Sequence, residues 1–204
     1  TELQDYQLFM RETPRSIIME PDAFYSCADG IVLYNKIVKS AQEKVELKGV
    51  PYSVDDIMGK DLIDGPCLIC GVFMTFADVH INRVPYTSTI EWERLDPLAT
   101  MNMSMDAQEE KIFGTKIKHG KKIAGVKNQY LYNNARMLNT FYVPEKNYKY
   151  YVVQVADYDV NAILPFATKQ KDKMMQGDRF SFIRWGSQCD IIMPLRKDLK
   201  IQPL

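Results

Sequence analysis

Gly186 and Ser187 lie between the apolar runs FSFI and IIMPL and interrupt what would otherwise be one β-type segment near the end of this 204-residue chain. A glycine at such a point marks a bulge, a bend or a close backbone approach. The pair also permits one particular reaction. The serine hydroxyl can attack the carbonyl that precedes it, because glycine adds no steric bulk, and the resulting ester can then eliminate. Spacing alone leaves both readings open.

Carriers for proton chemistry near neutral pH are few, since His80 and His119 are the only histidines. His80 belongs to the block Asp78-Val-His-Ile-Asn82-Arg83-Val-Pro85, which gathers a carboxylate, an imidazole, an amide and a guanidinium within six residues. On a strand, Asp78, His80 and Asn82 face one side and Arg83 the other. A second carboxylate, Asp29, stands in Ala28-Asp29-Gly30 at the entry to the run GIVLY. A turn role for Asp29 and a half-buried strand role for His80 are equally consistent with the spacing. The four cysteines, Cys27, Cys67, Cys70 and Cys189, are too few for a disulfide scaffold and lie in mostly apolar sequence, so they are expected reduced and buried. Cys67-Leu-Ile-Cys70 is a lone C-x-x-C, without the second pair or spaced histidine that a zinc site needs, and no metal is expected.

These groups must be carried mainly by strands. Branched and aromatic residues fill 30–38, 67–76, 86–92, 148–156 and 179–185, each run bounded by turn-forming residues. Helices are expected to be short. Residues 53–59 open on a hydroxyl cap with acidic residues in the first turn and stop at Gly59. Further helices are expected near 104–113 and over 158–166, and 95–110 reads as an insertion, loop or helix, over the framework. The length suits a single domain, residues 1–204, of β-rich α+β class: antiparallel strands with a few short covering helices, and 148–194 as a compact hairpin-like unit.

Acidic and basic residues balance at 26 each, so global charge gives no footprint for nucleic acid. The exception is local. Lys116, Lys118, His119, Lys121, Lys122 and Lys127 cluster around Gly120 on a hairpin-like pattern, either a solvated face or a contact for anionic headgroups. No apolar run reaches the length of a spanning helix, so a peripheral-membrane or cytoplasmic location is expected.

Five blocks in order, CADGIV (27–32), KGVPYSVDDIMG (48–59), FADVHINRVPYTSTI (76–90), NNARMLNTF (133–141) and 152–194 with its QGDRFSFIRWGS, are similar to the phosphatidylserine decarboxylase family, most of all its short single-domain form. The resemblance implies a self-processing proenzyme. Ser187 would attack the Gly186 carbonyl, and the chain would split into a β subunit, 1–186, and an α subunit, 187–204, whose first residue becomes a pyruvoyl cofactor. Asp29 would orient His80 as the base in an Asp–His–Ser arrangement, and Asn82, Arg83 and Arg136 would bind substrate. The pyruvoyl group would form a Schiff base with phosphatidylserine and release carbon dioxide to leave phosphatidylethanolamine. The resemblance also implies an anionic membrane surface as partner, and a homodimer. Longer members carry a second histidine where this chain has Arg83, and Cys27 and Trp185 replace a common proline and phenylalanine. A pyruvoyl enzyme acting on a free or modified amino acid, and an unprocessed lipid-binding homologue, are the alternatives.

Overall fold

The structure, a computed structural model, describes residues 7–11, 15, 23–101, 131–156, 162–166, 169–184 and 187–198. In chain order the elements are β1 (Ile31–Val38), β2 (Lys44–Leu47), β3 (Val50–Ser53), α1 (Val54–Met58), β4 (Cys67–Met74), β5 (Ile81–Arg83) and β6 (Ser88–Met101), followed by β7 (Leu131–Val143), β8 (Tyr148–Val155), β9 (Ile163–Pro165), β10 (Asp172–Met174), β11 (Arg179–Ile183) and β12 (Ser187–Pro194). Seven strands form one sheet in the order β1-β4-β12-β8-β7-β6-β10; a second sheet runs β5-β11-β9, and β2 pairs with β3. All these pairings are antiparallel.

The centre of the large sheet follows from composition. CLICGVFM in β4 and YKYYVVQV in β8 are nearly continuous apolar runs, and both strands are buried on both faces. On one face Leu68, Val72, Met74, Cys189, Val152 and Phe141 pack against Val84, Ile163, Phe180 and Ile183 of the small-sheet side. On the other, Cys67, Ile69, Ile192, Val153 and Leu138 pack against Val45, Leu47, Val54, Ile57 and Met58 of the β2–β3 hairpin and α1. Cys67 and Cys70 therefore belong to opposite faces and cannot close on one ion. All four cysteines are free.

The short helix forms where local signals are complete. Ser53 accepts from Asp56 N, the Asp56 side chain returns to Ser53 N, and Gly59 ends the helix at φ 67°. Three expectations need correction. Residues 95–101 continue β6 as strand, because the register shift between Leu95 and Leu98 places Pro97 in a bulge, where no ladder donor is needed. Within 158–166, Ile163–Pro165 is an edge strand: Leu164 sits opposite Phe182, and β-pairing overrides the helical pattern. The 148–194 segment is not one hairpin-like unit but divides between the two sheets, with β8 paired to β12 in the large one and β9 to β11 in the small one. The expected helix at 104–113 and the basic cluster at 116–127 with His119 lie outside the described residues.

Candidate active site

The segments carrying Asp29, His80 and Ser187 meet at one end of the large sheet. Ile31 and Gln188 are both register partners of Phe73, and Ser187 is the partner of Met74, so the 27–30 turn and the start of β12 flank the last residues of β4. Gly30 is required there. At φ +146° its backbone presses against β4, where an added Cβ would stand 2.1 Å from the Phe73 carbonyl oxygen. Arg83 N donates to Cys27 O at 2.9 Å and ties β5 to that turn. Ile81 pairs with Phe182, and Ile183 N donates to His80 O at 3.1 Å, so the histidine segment is bonded to the strand that leads into 184–187.

His80 is fully buried. Its Nε2 lies 3.0 Å from Thr75 O, its ring stacks on Phe9 with centroids 4.0 Å apart, and its N–H donates to Phe9 O at 3.0 Å. A carbonyl can only accept, so Nε2 carries the proton and Nδ1 is the basic nitrogen of the neutral ring. Asp78 builds the turn that aims this carbonyl, its carboxylate accepting from Thr75 N at 2.8 Å and Thr75 Oγ1 at 2.7 Å. It therefore sits in a turn before the strand, which begins only at Ile81. Asp29 is half-buried and accepts an ion-paired hydrogen bond from Arg15. In this arrangement Asp29 meets Arg15 and His80 Nε2 meets Thr75, a different pairing from the Asp–His–Ser order.

Asn82, fully buried, accepts from Gln154 Nε2 at 2.6 Å, and its own amide nitrogen faces Met74 Sδ at 3.5 Å. Arg83 is half-buried, and its Nη1 donates to Gly177 O at 2.9 Å. Arg136 lies elsewhere. Its guanidinium donates to the carbonyls of Asp96 at 2.6 Å, Asp56 at 2.5 Å and Ile57 at 2.9 Å, and burial lowers its pKa from the ordinary arginine value. These bonds clamp the end of α1 on the face of the sheet opposite Met74 and Cys189.

The α1 face also holds a group that sequence reasoning missed. Asp190, fully buried, accepts from Tyr34 Oη and lies 3.2 Å through each oxygen from Gln188 Nε2. Desolvation is the largest cause pushing its carboxyl up to about 6, against the lowering effect of those two partners. Burial likewise raises the Tyr34 hydroxyl. Phe9, Arg15 and Gln154 were also missed. Only the C-D-I-I alternation around Asp190, a charge inside an apolar strand, carried a local signal. Among the described residues no group of three or more His, Cys, Asp or Glu side chains gathers as a metal site, and no helix is long and apolar enough to cross a membrane.

A profile of the family described as phosphatidylserine decarboxylase matches residues 6–203. The chain belongs to this family. Relatives named phosphatidylserine decarboxylase proenzyme include that of Xanthobacter autotrophicus, 24% identical over 92% of this chain and 63% of its own length. Those of Syntrophus aciditrophicus (24%, over 72% of this chain and 57% of the relative) and Geobacter metallireducens (23%, over 95% and 69%) are similar. The chain thus spans between 57% and 69% of the length of these three relatives. Within a phosphatidylserine decarboxylase fold, the sheet end shared by the 27–30 turn, β5 and the first residue of β12 is the candidate active site.

Proposed function

We propose that this chain processes itself between Gly186 and Ser187 and, once processed, decarboxylates phosphatidylserine to phosphatidylethanolamine. The observation that carries the reading is the convergence of Asp29, His80 and residue 187 at the end of β4. In the first step the Ser187 hydroxyl attacks the Gly186 carbonyl while His80 Nδ1 takes its proton. That proton passes to the Ser187 nitrogen as the C–N bond breaks, leaving an ester and a free amine. Loss of the Ser187 α-proton expels the Gly186 carboxylate, and the resulting dehydroalanine takes up water and releases ammonia to become a pyruvoyl terminus. Asp29, freed from Arg15, stabilises the His80 cation.

The fit of this chain to a self-made cofactor rests on β12. Pairing with β4 along one edge and β8 along the other supports retention of the short α chain after its peptide bond to the rest is gone. The pyruvoyl group supplies a ketone that takes the substrate amine and an electron sink for the pair released with carbon dioxide. His80, dry and held by Thr75 and Phe9, then returns a proton to the substrate α-carbon. Asn82 and Arg83 contact the serine headgroup; Arg136 is reserved for α1. The substrate implies docking at an anionic bilayer surface, for which the 116–127 lysines supply charge, and the resemblance favours a homodimer.

Vesicles containing phosphatidylserine, incubated with the wild-type chain and with Ser187→Ala, test the activity. The reading expects phosphatidylethanolamine from the wild type alone. Faster carbon dioxide release from free serine than from the vesicles would overturn the lipid assignment.

A further inference from the structure

Three buried amides from different strands form a directed chain that ends beside the residue paired with Ser187. Asn139 Nδ2 donates to Val152 O at 3.1 Å and to Gln154 Oε1 at 2.9 Å. Gln154 Nε2 donates to Asn82 Oδ1 at 2.6 Å, and Asn82 Nδ2 points at Met74 Sδ, 3.5 Å away. All three side chains are fully buried. The direction is set at one end. Val152 O is a backbone carbonyl and can only accept, so the nitrogen of Asn139 must face it. The oxygen of Gln154 must then face Asn139, and its nitrogen must face the oxygen of Asn82. Asn82 is left with its NH2 group turned toward two sulfurs, Met74 Sδ and the Cys189 thiol, and sulfur is a weak acceptor that satisfies an amide donor poorly. The chain is bought at a cost, since Asn139 Oδ1 is buried with no hydrogen-bond partner among the described residues. A network that aims a strong donor at sulfur alone in a dry site, next to the register partner of the reacting serine, is preorganised to stabilise an oxygen that gains charge there.

We infer that Asn82 is the hydrogen-bond donor to the oxyanion formed when Ser187 attacks the preceding carbonyl, and that Gln154 and Asn139 are positioning residues that hold its amide in that orientation. This rests on the self-processing reading above. As the carbonyl carbon becomes tetrahedral its oxygen gains negative charge, and a pre-aimed N–H stabilises that charge without reorganising. When the C–N bond breaks the oxygen returns to a carbonyl and the donor is released. Gln154 never touches the reacting atoms; with its amide gone, Asn82 can rotate and offer the wrong end.

The test follows the rate of appearance of the 187–204 fragment by mass spectrometry in freshly translated chain, for wild type, Gln154→Met, Asn82→Leu, the double variant and Asn82→Asp. Thermal melting identifies the folded species. Removing the donor in Asn82→Leu should slow cleavage by about 10²–10³-fold. Gln154→Met should slow it at least about tenfold, and should add nothing in the Asn82→Leu background, because a positioning residue acts only through the group it positions. Asn82→Asp, assayed above the pH at which its buried carboxyl ionises, keeps the acceptor that Gln154 needs while placing an oxygen without a proton where the donor was, so its folded fraction cleaves no faster than Asn82→Leu. Equal slowing by Gln154→Met with and without Asn82, or wild-type cleavage by Asn82→Asp, would overturn the inference while leaving the self-processing reading intact. A wild-type chain that never cleaves would instead remove that reading itself.

Discussion

Asp190→Asn is the substitution whose consequence follows most directly from the geometry. The carboxylate lies three residues past Ser187 on β12, fully buried under Tyr34 and Gln188. It is packed so closely that a Cβ on Gly71 would stand 2.7 Å from Asp190 Oδ1 and 2.5 Å from Tyr34 Cζ. Its carboxyl is raised from the ordinary 3.8 to about 6, chiefly by burial. The folded chain therefore binds this proton more tightly than the unfolded chain, and stability falls as pH rises from the unfolded value to the folded one. A gap of about two pH units at about 1.4 kcal/mol each makes the fully ionised state about 3 kcal/mol less favourable than the protonated one. An asparagine has no proton to lose. Urea unfolding in a Ser187→Ala background, which keeps the chain whole, isolates the effect as the difference between D190N and its parent. That difference should move in favour of D190N by about 2 kcal/mol between about pH 4.5 and about pH 7.5, whatever its starting value, because other titrations cancel. A difference that stays flat across this range would show that burial does not govern Asp190.

Other substitutions separate structural roles from chemical ones. Arg136→Met, which strips three carbonyls on α1 and β6 of their donor, should cost about 2–3 kcal/mol in urea unfolding and leave the cleavage rate of the folded fraction unchanged; slowed cleavage at full stability would return Arg136 to the site. Gly30→Ala, with its Cβ driven into the Phe73 carbonyl at positive φ, should fail to accumulate as folded protein, and a normal soluble yield with a normal melting curve would refute the close approach. Phe9→Ala removes a fully buried ring stacked on His80 and should lower stability by about 3 kcal/mol or more, read from the urea midpoint; an unchanged midpoint would mean that residues 7–11 do not cover the histidine.

What was legible in the sequence was what is encoded locally. The Ser53–Asp56 cap and Gly59 stop lie within seven residues and delimit α1. The apolar runs of β4, β8, β11 and β12 had no other reading than buried strand. Residues 95–101 and 163–165 were misjudged because Asp, Pro and Met look like loop, or a short periodic run looks like helix, until a partner strand supplies the ladder. The candidate site divides the same way. Its candidate reacting groups stand in the blocks of adjacent residues that carry the family resemblance, whereas the contacts around them are ones that no spacing rule anticipates: Phe9 on His80, Arg15 on Asp29 and Gln154 on Asn82. Arg136 shows the converse. A basic residue inside a motif block suggested a substrate contact, and only the packing of α1 reveals the carbonyls that occupy it.

The central claim is that the bond between Gly186 and Ser187 breaks by the chain's own chemistry and turns residue 187 into the cofactor. Intact mass spectrometry of the purified chain under denaturing conditions tests this directly. The account predicts two species, 1–186 and 187–204, the smaller one lighter by one ammonia than a peptide starting with serine and carrying a ketone that reacts with a carbonyl reagent, and neither forms from Ser187→Ala. A single 23.6 kDa species that persists through prolonged incubation, or cleavage at any other bond, would contradict it.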